Sequence, residues 1–531
     1  METTASREAA LVRSDDSFEP DWYRRRYPDV AATGLDPLRH YLEIGEPLGR
    51  WAGPSFCAGW YRQRYDDVAR AGASPLLHYI RSGRAEGRQP RPLSAMALEP
   101  ALHAPEDDAA HQRALAELEA LRHDDNALEA DYACWVLARW HAANQRWCRA
   151  AEILTARGPG HWQMPAHYGP RLLALEALLH SGQWQAAQAA CLRLLRDAPD
   201  YADACLAMAN LLAAQAPVGS QAERSMPWET LRLRWVNRAL RPAGLQAIEL
   251  ADASRPLLLD NLRGEPPARS ANGESQPLIS VIVPVYNAEA VLACALRSLR
   301  DQTHDNLEIL VIDDASTDGS AGLAASFAEQ DARFRLIRQS GNQGTYAARN
   351  RGLRESRGAY FTVHDSDDWS HPQKIALQLS ALQANAGWQA CRSSWVRCTD
   401  RLEFGGWLME RGWVYPNTSS LLFRRSVFET IGFWDRVRVN ADTEYLNRTR
   451  AAFGARAVGE VLPGVPLSFG RMTQDSLSRD SATHRRTEFG GVRRVYHEAS
   501  LKWHAEASRE ALYLSEFPQQ RPFPAPEGNL P

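Results

Sequence analysis

The sequence predicts a multidomain protein in which all-α repeat regions precede one α/β domain with a mostly parallel sheet. The chain has 531 residues, which is too long for a single hydrophobic core. A tandem repeat with helical start and stop signals lies near the N-terminus. After residue 276, apolar runs of strand length alternate with helical stretches. These three observations define the order of the domains.

The first domain consists of tandem 38-residue helical repeats over residues 18–90. A shift of 38 residues aligns Phe18 with Phe56 and Tyr23 with Tyr61, and the match continues without a gap. Each copy is expected to form two short helices, WYRRRYPDV and PLRHYLEIG in the first copy. The pattern resembles paired F-x-x-x-W-Y…DV…P-L-x-H-Y…G…G-R modules that often flank bacterial polysaccharide glycosyltransferases. We expect the repeated Trp, Tyr and His residues in the core of each unit rather than on a sugar-binding face.

The second region, residues 110–265, has helical periodicity and is rich in Ala and Leu. Two of its stretches resemble each other, QRWCRAAEIL at 145–154 and GQWQAAQAACL at 182–192. The region resembles tetratricopeptide helix pairs, although its spacing of 37 residues from Trp147 to Trp184 departs from the ~34 typical of that family. We therefore predict a tetratricopeptide-like helical array followed by a polar linker.

Composition disfavours several classes of function. The 61 Lys and Arg residues against 64 Asp and Glu give a net charge of −3, so no basic excess favours nucleic acid. No run approaches about 18 apolar residues and no signal-peptide core is present, so we expect no transmembrane segment and no export. The eight Cys residues are scattered without a CxxC pair, which indicates reduced thiols. We expect a cytoplasmic protein, with peripheral attachment at the inner membrane as the alternative.

The third domain begins with a strand, helix, strand pattern. Helices are expected near 320–332 and 345–356. The apolar strands are ISVIVPV (279–285), LEILVID (307–313), FRLIR (334–338) and AYFTV (359–363). Such alternation predicts a parallel sheet covered on both faces, and in these sheets ligands bind beyond the carboxyl ends of the strands.

Acidic clusters follow two of these strands. Asp313 and Asp314 end the second, and Asp365, Asp367 and Asp368 follow the fourth. Some of these residues could simply cap helices. Three carboxylates in four residues, however, repel one another unless a cation neutralises them, which favours a Mg²⁺ or Mn²⁺ site. The sequence has no GxxxxGK[ST] loop, so phosphate would be held chiefly through the metal.

Four motifs in order resemble the catalytic domain of family 2 glycosyltransferases with the Rossmann-like GT-A fold. They are PLISVIVPVYNAEAVLACALRSL, EILVIDDASTDGS, NQGTYAARNRGLRESRGAYFTV and HDSDDW. The resemblance covers about 277–485, and we place the GT-A domain at 276–500. It implies a nucleotide-sugar donor and a divalent metal.

The resemblance also implies roles for individual residues. Pro284, Tyr286 and Asn287 would receive the nucleotide base, and Asp314, less directly Asp313, would accept hydrogen bonds from uracil or ribose. Arg349 and Asn350 would lie beside the nucleotide; the alternative is a helix that merely packs on the sheet. Asp365 and Asp367 correspond to the metal-binding DxD pair, with Asp365 also near the donor.

The segment 417–454 resembles the acceptor half of the same family, in which an acidic pair near a helix start supplies the catalytic base. By that register the base is Asp442, with Glu444 as the alternative and a plain helix cap as a third possibility. Ala441 stands where the family has Glu. Arg471, Ser476 and Ser478 occupy the place of a loop that closes over the donor in relatives. The QxxRW motif of processive synthases is missing from the catalytic part.

Together these features imply an inverting, metal-dependent hexosyltransferase that uses a nucleotide sugar, UDP-sugar being favoured. The acceptor would be a carbohydrate or a lipid-linked saccharide in bacterial polysaccharide biosynthesis. The alternatives are an inactive scaffold that binds a protein partner through its helical repeats, and a sugar-nucleotide pyrophosphorylase. We expect a fragment beginning near Ser270 to fold alone, and we expect the Pro-rich tail, residues 515–531, to be mobile.

Overall fold

The computed structural model describes residues 4–103, 108–156, 162, 167–215, 222–264, 276–472 and 483–530. The chain divides into two compact units. The first comprises Met1–Leu102 and Asp107–Ala174, and the second comprises His103–Glu106 and Leu175–Pro531. The second unit thus combines the last helices of the α-helical region with the α/β domain. The sequence predicts a boundary near residue 265 instead, because a change of periodicity does not reveal which helices pack on the sheet.

The first unit opens with the tandem repeats. Its elements are α1 (Thr4–Arg13), α2 (Pro20–Arg26), α3 (Asp29–Thr33), α4 (Pro37–His40), β1 (Trp51–Gly53), β2 (Phe56–Cys57), α5 (Ala58–Arg64), α6 (Asp66–Ala71) and α7 (Pro75–His78). Each copy has three helices rather than the predicted two. The first copy breaks at Tyr27, since a residue before proline disfavours the α conformation, and the second breaks at the equivalent Tyr65.

Tyr23, Tyr61 and His40 lie in the buried core, as the sequence predicts, whereas His78 and the repeated Trp22 and Trp60 are only half-buried. Tyr23 Oη lies 3.1 Å from His40 Nδ1, and Tyr61 Oη lies 3.1 Å from His78 Nδ1. A Cβ on Gly45 would lie 2.1 Å from Tyr23 Oη, so the repeated glycine makes room for the tyrosine hydroxyl.

The α-helical region follows. Its elements are α8 (Ser94–His103), α9 (Asp108–Leu121), α10 (Ala127–Ala143), α11 (Trp147–Ala156), α12 (Gly169–His180), α13 (Trp184–Asp197), α14 (Ala202–Gln215), α15 (Ala222–Leu240), β3 (Ile248–Leu250) and β4 (Leu262–Gly264). The two similar stretches start equivalent helices, α11 and α13, each after a residue with positive φ, Gln145 and Gly182. The helical array is confirmed, whereas the tetratricopeptide class stays a prediction.

The α/β domain is built on one mixed sheet. Its strands are β5 (Ile279–Val285), β6 (Leu307–Asp313), β7 (Phe334–Arg338), β8 (Tyr360–Val363), β9 (Trp369–Ser370), β10 (Ala390–Cys398), β11 (Tyr415–Pro416), β12 (Leu422–Arg424) and β13 (Val458–Arg471). The strand order is β7-β6-β5-β8-β12-β10-β13-β9, with β11 paired to β10. The first four strands run parallel, and β12 is antiparallel to both of its neighbours. The predicted α/β fold class is confirmed.

Helices cover the two faces of this sheet. They are α16 (Glu289–Arg300), α17 (Ser320–Gln330), α18 (Thr345–Glu355), α19 (Lys374–Ala384), α20 (Arg425–Ile431), α21 (Ala441–Phe453) and α22 (Val492–Glu506). Because side chains alternate along a strand, Ile282 and Leu310 pack toward α18 and α21, whereas Val281 and Ile309 pack toward α16 and α19. Both layers are buried, as continuous apolar strands require.

The C-terminal tail packs within the second unit, although its Pro content predicts a mobile segment. Phe523 is buried between the rings of Tyr496 and Trp503, with centroid distances of 5.4 and 5.1 Å. Asn529 has no exposed surface. Proline prevents regular hydrogen bonding but does not prevent a segment from burying an aromatic side chain.

Candidate active site

Three neighbouring strands end at one edge of the sheet and bring the predicted acidic clusters together. Val285 of β5 pairs with Asp313 of β6, and the Asp314 N–H donates to Val285 O at 2.8 Å. On the other side of β5, the His364 N–H donates to Ile282 O at 2.9 Å. The clusters at 313–314 and 364–368 therefore lie on either side of the end of β5.

Asp314 is buried and fastens the turn that precedes α18. Its carboxylate accepts hydrogen bonds from Gln339 Nε2 at 2.6 Å, Gln343 N at 2.9 Å and Gly344 N at 2.7 Å. A carboxylate offers about four acceptor sites, so one is left for a ligand. Asp313 is fully buried and accepts from Arg338 Nε and Ser316 N, at 3.1 and 3.2 Å. Asp313 thus stabilises the turn at the end of β6 and has no exposed surface for a ligand.

The three residues at the end of β5 differ in their exposure. Tyr286 is half exposed, at 50%, so its ring is available to a planar ligand. Asn287 has a φ of 48° and is held by Ser316, since its N–H donates to Ser316 Oγ at 3.0 Å. Pro284 is buried in the strand and offers little surface to a ligand, so its expected contact with the base stays a prediction. Pro284 therefore shapes the strand end.

The three carboxylates of the acidic turn after β8 have different partners. Asp365 Oδ1 accepts a hydrogen bond from Arg349 Nη2 at 2.9 Å. Asp368 is buried and accepts from the Arg471 N–H at 3.2 Å. Burial, and secondarily the charge of Asp365, raise the pKa of Asp367 to about 6. Among the described residues, no cationic side chain forms an ion pair with Asp367.

The residues present fit a divalent cation of low protein coordination. In the described ranges no three His, Cys, Asp or Glu side chains converge in a metal-binding cluster. Mg²⁺ and Mn²⁺ sites commonly use one or two carboxylates and complete their shell with water and phosphate. Asp365 and Asp367 can supply those two carboxylates. Burial is the main cause of the raised pKa of Asp367, and a cation would offset both that burial and the repulsion from Asp365.

Arg349 lies in the interior with unused donors. Only 4% of its surface is exposed, and its Nε and Nη1 atoms have no hydrogen-bond partner among the described residues. Burial by itself lowers the pKa of this guanidinium, but the charges of Asp365 and Asp442 outweigh it and raise the pKa. A buried cation with two free donors is equipped to bind an anion.

Asn350 has a structural role rather than the expected nucleotide contact. Its Nδ2 donates to Trp434 O at 2.8 Å, and its Oδ1 accepts from Trp434 N at 3.0 Å. The side chain is fully buried. Asn350 therefore fixes the backbone that leads toward α21, because both ends of its amide are used there.

The two candidate bases differ in burial and in partners. Asp442 is half-buried at the start of α21, where its N–H lies 3.4 Å from Tyr346 Oη of α18. The Tyr346 ring lies 5.1 Å from the guanidinium carbon of Arg349. Asp442 thus approaches the acidic turn through Tyr346 and Arg349.

Glu444 points into the core instead. Its carboxylate is 1% exposed and lies 2.9 Å from both Arg448 Nε and His504 Nε2. A carboxylate held in this way is poorly placed to meet an acceptor, which favours Asp442 as base, and the choice between the two stays a prediction. One helical turn separates Glu444 from Arg448, but only the tertiary fold brings His504 to them.

Arg471 ties the acidic turn to two other segments. Its Nε donates to Asp367 O at 3.1 Å, and its guanidinium forms ion pairs with Asp260 and Asp400. Arg471 is 2% exposed, so its role is to stabilise the acidic turn through these buried contacts. Ser476 and Ser478 lie outside the described residues. Nothing in the sequence singles out Asp260 or Asp400, since both lie in irregular segments far from Arg471 along the chain.

Residues 280–416 match the family model described as glycosyl transferase family 2. The range includes both acidic clusters and Arg349. The chain contains a family 2 glycosyltransferase domain.

Curated relatives of this glycosyltransferase domain match over short stretches. Glycosyltransferase GlyA of Streptococcus pneumoniae is 50% identical over 91 residues, which are 17% of this chain and 13% of GlyA. The uncharacterized glycosyltransferase YibD of Escherichia coli is 37% identical over 153 residues, or 27% of this chain and 44% of YibD. The chain spans less than half the length of the curated relatives it matches.

Solved structures are similar at lower identity. Residues 1–349 of TarS from S. aureus, in complex with UDP, are 16% identical with a TM-score of 0.31, covering 37% of this chain and 61% of that one. The mannosyltransferase PcManGT from Pyrobaculum calidifontis, in complex with GDP-Man and Mn²⁺, is 19% identical with a TM-score of 0.32. That match covers 44% of this chain and 66% of PcManGT. Over the described part of the chain, no helix is both long and apolar enough to cross a bilayer.

Helices that precede the glycosyltransferase domain hold one of its loops, residues 399–414. Asp203 of α14 accepts from the N–H groups of Trp413 and Val414 at 2.7 and 2.8 Å. Asn210 pairs with the Phe404 backbone at 2.7 and 2.9 Å. Arg232 of α15 donates to Arg401 O at 2.7 Å. The loop thus depends on helices outside the matched range.

A buried lysine lies behind the acidic turn of the glycosyltransferase domain. Lys374 Nζ donates to Ser370 Oγ at 3.3 Å and to Ser420 Oγ at 2.5 Å. Burial lowers its pKa to about 8, although the charges of Asp368 and Asp365 oppose that shift. Sequence reasoning missed Lys374, since a lysine near a helix start usually lies in solvent.

Proposed function

We propose that this chain is an inverting, metal-dependent glycosyltransferase that moves a sugar from a nucleotide donor to a saccharide acceptor. The observation that carries the proposal is the path from Asp365 through Arg349 and Tyr346 to Asp442. It joins Asp365, one of two carboxylates suited to a metal, to the backbone of Asp442 at a helix start, and the Asp442 charge also raises the pKa of Arg349. A UDP-sugar is the favoured donor, and bacterial polysaccharide biosynthesis is the favoured setting.

The donor nucleotide would lie at the ends of β5 and β6. The exposed Tyr286 ring offers a stacking surface for the base, and Asp314 retains one acceptor site for an N–H or O–H of uracil or ribose. Ser316 joins the two strand ends, since its N–H donates to Asp313 and its Oγ accepts from the Asn287 N–H. These bonds stabilise the backbone beside Tyr286 and Asp314. This arrangement favours a base with an N–H donor, such as uracil.

The donor diphosphate would lie beside the acidic turn. Asp365 and Asp367 would hold the divalent cation. When bound, it would offset the negative charge that develops on the departing diphosphate. The unused Nε and Nη1 donors of Arg349 can bind an oxygen of the same anion, because they are buried and already carry positive charge.

Asp442 would act as general base on the acceptor. The acceptor hydroxyl loses its proton to the Asp442 carboxylate as its oxygen attacks the anomeric carbon, and the bond to the diphosphate breaks on the opposite side. A single displacement of this kind inverts the anomeric configuration. Asp442 is half-buried and therefore accessible to an acceptor, unlike Glu444.

The test is a donor screen with the full chain. Nucleotide-sugar panels are incubated with Mn²⁺ or Mg²⁺ and saccharide acceptors, and nucleotide diphosphate release is measured beside product formation. We expect release from UDP-sugars, dependence on metal, and a product of inverted anomeric configuration by NMR. No turnover with any donor and metal, or retention of configuration, would contradict the proposal.

A further inference from the structure

The end of the chain lies along the segment that leads to Asp442. We call residues 512–530 the C-terminal strap and residues 431–440 the base segment. The base segment connects α20 to α21 without regular secondary structure beyond one isolated bridge. Its backbone groups lack the regular pairing of a helix or strand and are bonded by side chains, among them Arg448 and Tyr445 of α21, so its position depends on residues outside the segment.

Backbone pairing joins the start of the strap to the start of the base segment. The Phe433 N–H donates to Leu514 O at 2.9 Å, and the Leu514 N–H donates to Ile431 O at 3.0 Å. Gly432 between them has a φ of 74°, and a Cβ there would lie 2.2 Å from Leu514 O. The strap and the base segment therefore approach so closely at Gly432 that only glycine fits there.

Side chains join the middle of the two segments. Asp435 is 4% exposed, accepts from Tyr496 Oη at 2.9 Å and forms an ion pair with Arg521 of the strap. The Phe517 ring of the strap lies 4.8 Å from the guanidinium carbon of Arg436. A buried carboxylate needs partners of this kind, so Arg521 and Tyr496 fix the place of Asp435.

Asn529 of the strap hydrogen-bonds Val439, which lies three residues before Asp442 near the end of the base segment. Its Oδ1 accepts from the Val439 N–H at 3.0 Å, and its Nδ2 donates to Val439 O at 3.2 Å. The Arg438 N–H donates to Asn529 O at 2.8 Å. Asn440 then takes a φ of 77°, and α21 begins at Ala441. Asn529 thus sets where α21 starts.

Contacts from α18 and the turn before it hold the base segment from a second direction. Asn350 hydrogen-bonds the Trp434 backbone in the same two-bond manner, and Arg436 Nη2 donates to Gln343 Oε1 at 3.1 Å. Gln343 in turn donates through its backbone to Asp314. These contacts fix the first half of the base segment, whereas the half adjoining Asp442 is fixed by Asn529.

We propose that the C-terminal strap positions the catalytic base, with Asn529 as the positioning residue. The inference rests on the proposed role of Asp442. Asn529 does not touch the substrate; it acts by holding Val439 and so the start of α21. Small displacements of a catalytic group can reduce rates by one to two orders of magnitude. Loss of the Asn529 contacts should therefore slow transfer while donor binding persists.

The experiment is a double-mutant cycle in the full chain. Asn529→Ala should lower kcat for transfer by about tenfold with donor KM and calorimetric UDP affinity unchanged. In the Asp442→Asn background, the same change should lower kcat by less than about twofold, because that variant has no base whose position could matter. Thermal midpoints are recorded for all four proteins.

Asn237→Ala is the matched control. Asn237 holds the Ile248 backbone through the same two hydrogen bonds, at 2.7 and 2.9 Å, in a part of the second unit that does not lead to Asp442. We expect it to lower the thermal midpoint comparably while leaving kcat unchanged. A matching loss of kcat in Asn237→Ala would indicate a general stability effect and overturn the inference.

Other outcomes separate the inference from the proposed function. An unchanged kcat in Asn529→Ala, or a tenfold fall in both backgrounds, overturns the strap as a positioning device and leaves Asp442 as base. Full activity in the Asp442→Asn single variant overturns the role of Asp442 in the proposed function, and the inference about the strap falls with it. If Asn529→Ala does not fold, Arg521→Gln replaces it in the cycle. Arg521 is 29% exposed, and its substitution removes a different contact of the strap, the ion pair with Asp435. A kcat loss of about threefold is then expected, confined to the background that retains Asp442.

Discussion

Arg349 donates a hydrogen bond of 2.9 Å from Nη2 to Oδ1 of Asp365, and its other buried donors have no partner among the described residues. A buried guanidinium with unused donors is costly unless an anion completes its environment. The pair therefore indicates that the site is completed by a negatively charged ligand. A nucleotide diphosphate fits that chemistry.

Removing the Arg349 charge should impair donor use. Arg349→Met keeps most of the side-chain volume but removes every donor, and a hydrogen bond to a charged group contributes about 1.5–3 kcal/mol. We expect kcat/KM for the donor to fall by about 10- to 100-fold in steady-state assays. Arg351→Met, on the same helix with 39% of its side chain exposed, should leave kcat/KM unchanged. Equal values for both variants would contradict the role of Arg349.

Removing one metal-binding carboxylate should abolish most turnover. Asp367→Asn removes a charge from the acidic turn, and we expect kcat to fall at least about 100-fold, equivalent to about 2.7 kcal/mol. Chelation of divalent metal should have the same effect on the unmodified chain, with recovery when Mn²⁺ is restored. Asp305→Asn, exposed before β6 at the opposite edge of the sheet, is the control. Full turnover in chelator would refute the metal site.

Stability of the second unit should depend on pH through Glu176. Burial, with a contribution from Asp203, raises the pKa of Glu176 to about 8, although its hydrogen bond from Trp413 opposes the shift. The folded state thus holds a proton that the unfolded chain releases near pH 4.5. The stability is complete below that value and is lost as pH rises through about 8.

Calorimetry should show the transition of the second unit falling by a few degrees between pH 5 and 8, and Glu176→Gln should flatten this dependence. Glu249→Gln, an exposed carboxylate paired with Arg263, should leave the slope as it is. A slope unaltered by Glu176→Gln would show that other groups govern the pH dependence.

The helices before the glycosyltransferase domain should be needed for its folding, contrary to the expectation that a fragment from near Ser270 folds alone. A fragment of 276–531 lacks Asp203, Asn210 and Arg232, which hold the 399–414 loop, and lacks Asp260, the partner of Arg471. We expect it to be insoluble or to melt well below a 167–531 fragment, measured by thermal unfolding. Equal midpoints would show that these contacts are dispensable.

The parts of the fold that sequence predicted well are those with a local signal. The strands β5, β6 and β7 have the predicted limits because each is a continuous apolar run bounded by polar residues. The acidic clusters lie at one sheet edge because parallel strands end together. The role of Asp442 stays a prediction, since it rests on the resemblance of segment 417–454 to the acceptor half of the family.

What the sequence did not reveal depends on long-range pairing. Glu444 was the alternative to Asp442 as base, and nothing in the sequence indicated that His504 packs against it. The Pro-rich tail has no periodicity, so nothing indicated that Asn529 contacts Val439. Asp260 lies near the end of the predicted helical region, and no sequence pattern indicated its ion pair with Arg471. Such contacts join distant segments without leaving a pattern in either one.

The most direct test of the account is single-turnover transfer by Asp442→Asn, with donor affinity measured by calorimetry on the same protein. The substitution preserves shape but removes the proton acceptor, so transfer should fall by about 10²- to 10⁴-fold while donor and metal binding persist. Glu444→Gln is the comparison, since it breaks a buried ion pair and should cost about 3–5 kcal/mol of stability instead. Undiminished transfer by Asp442→Asn, or lost donor affinity with normal turnover of bound donor, would contradict the account.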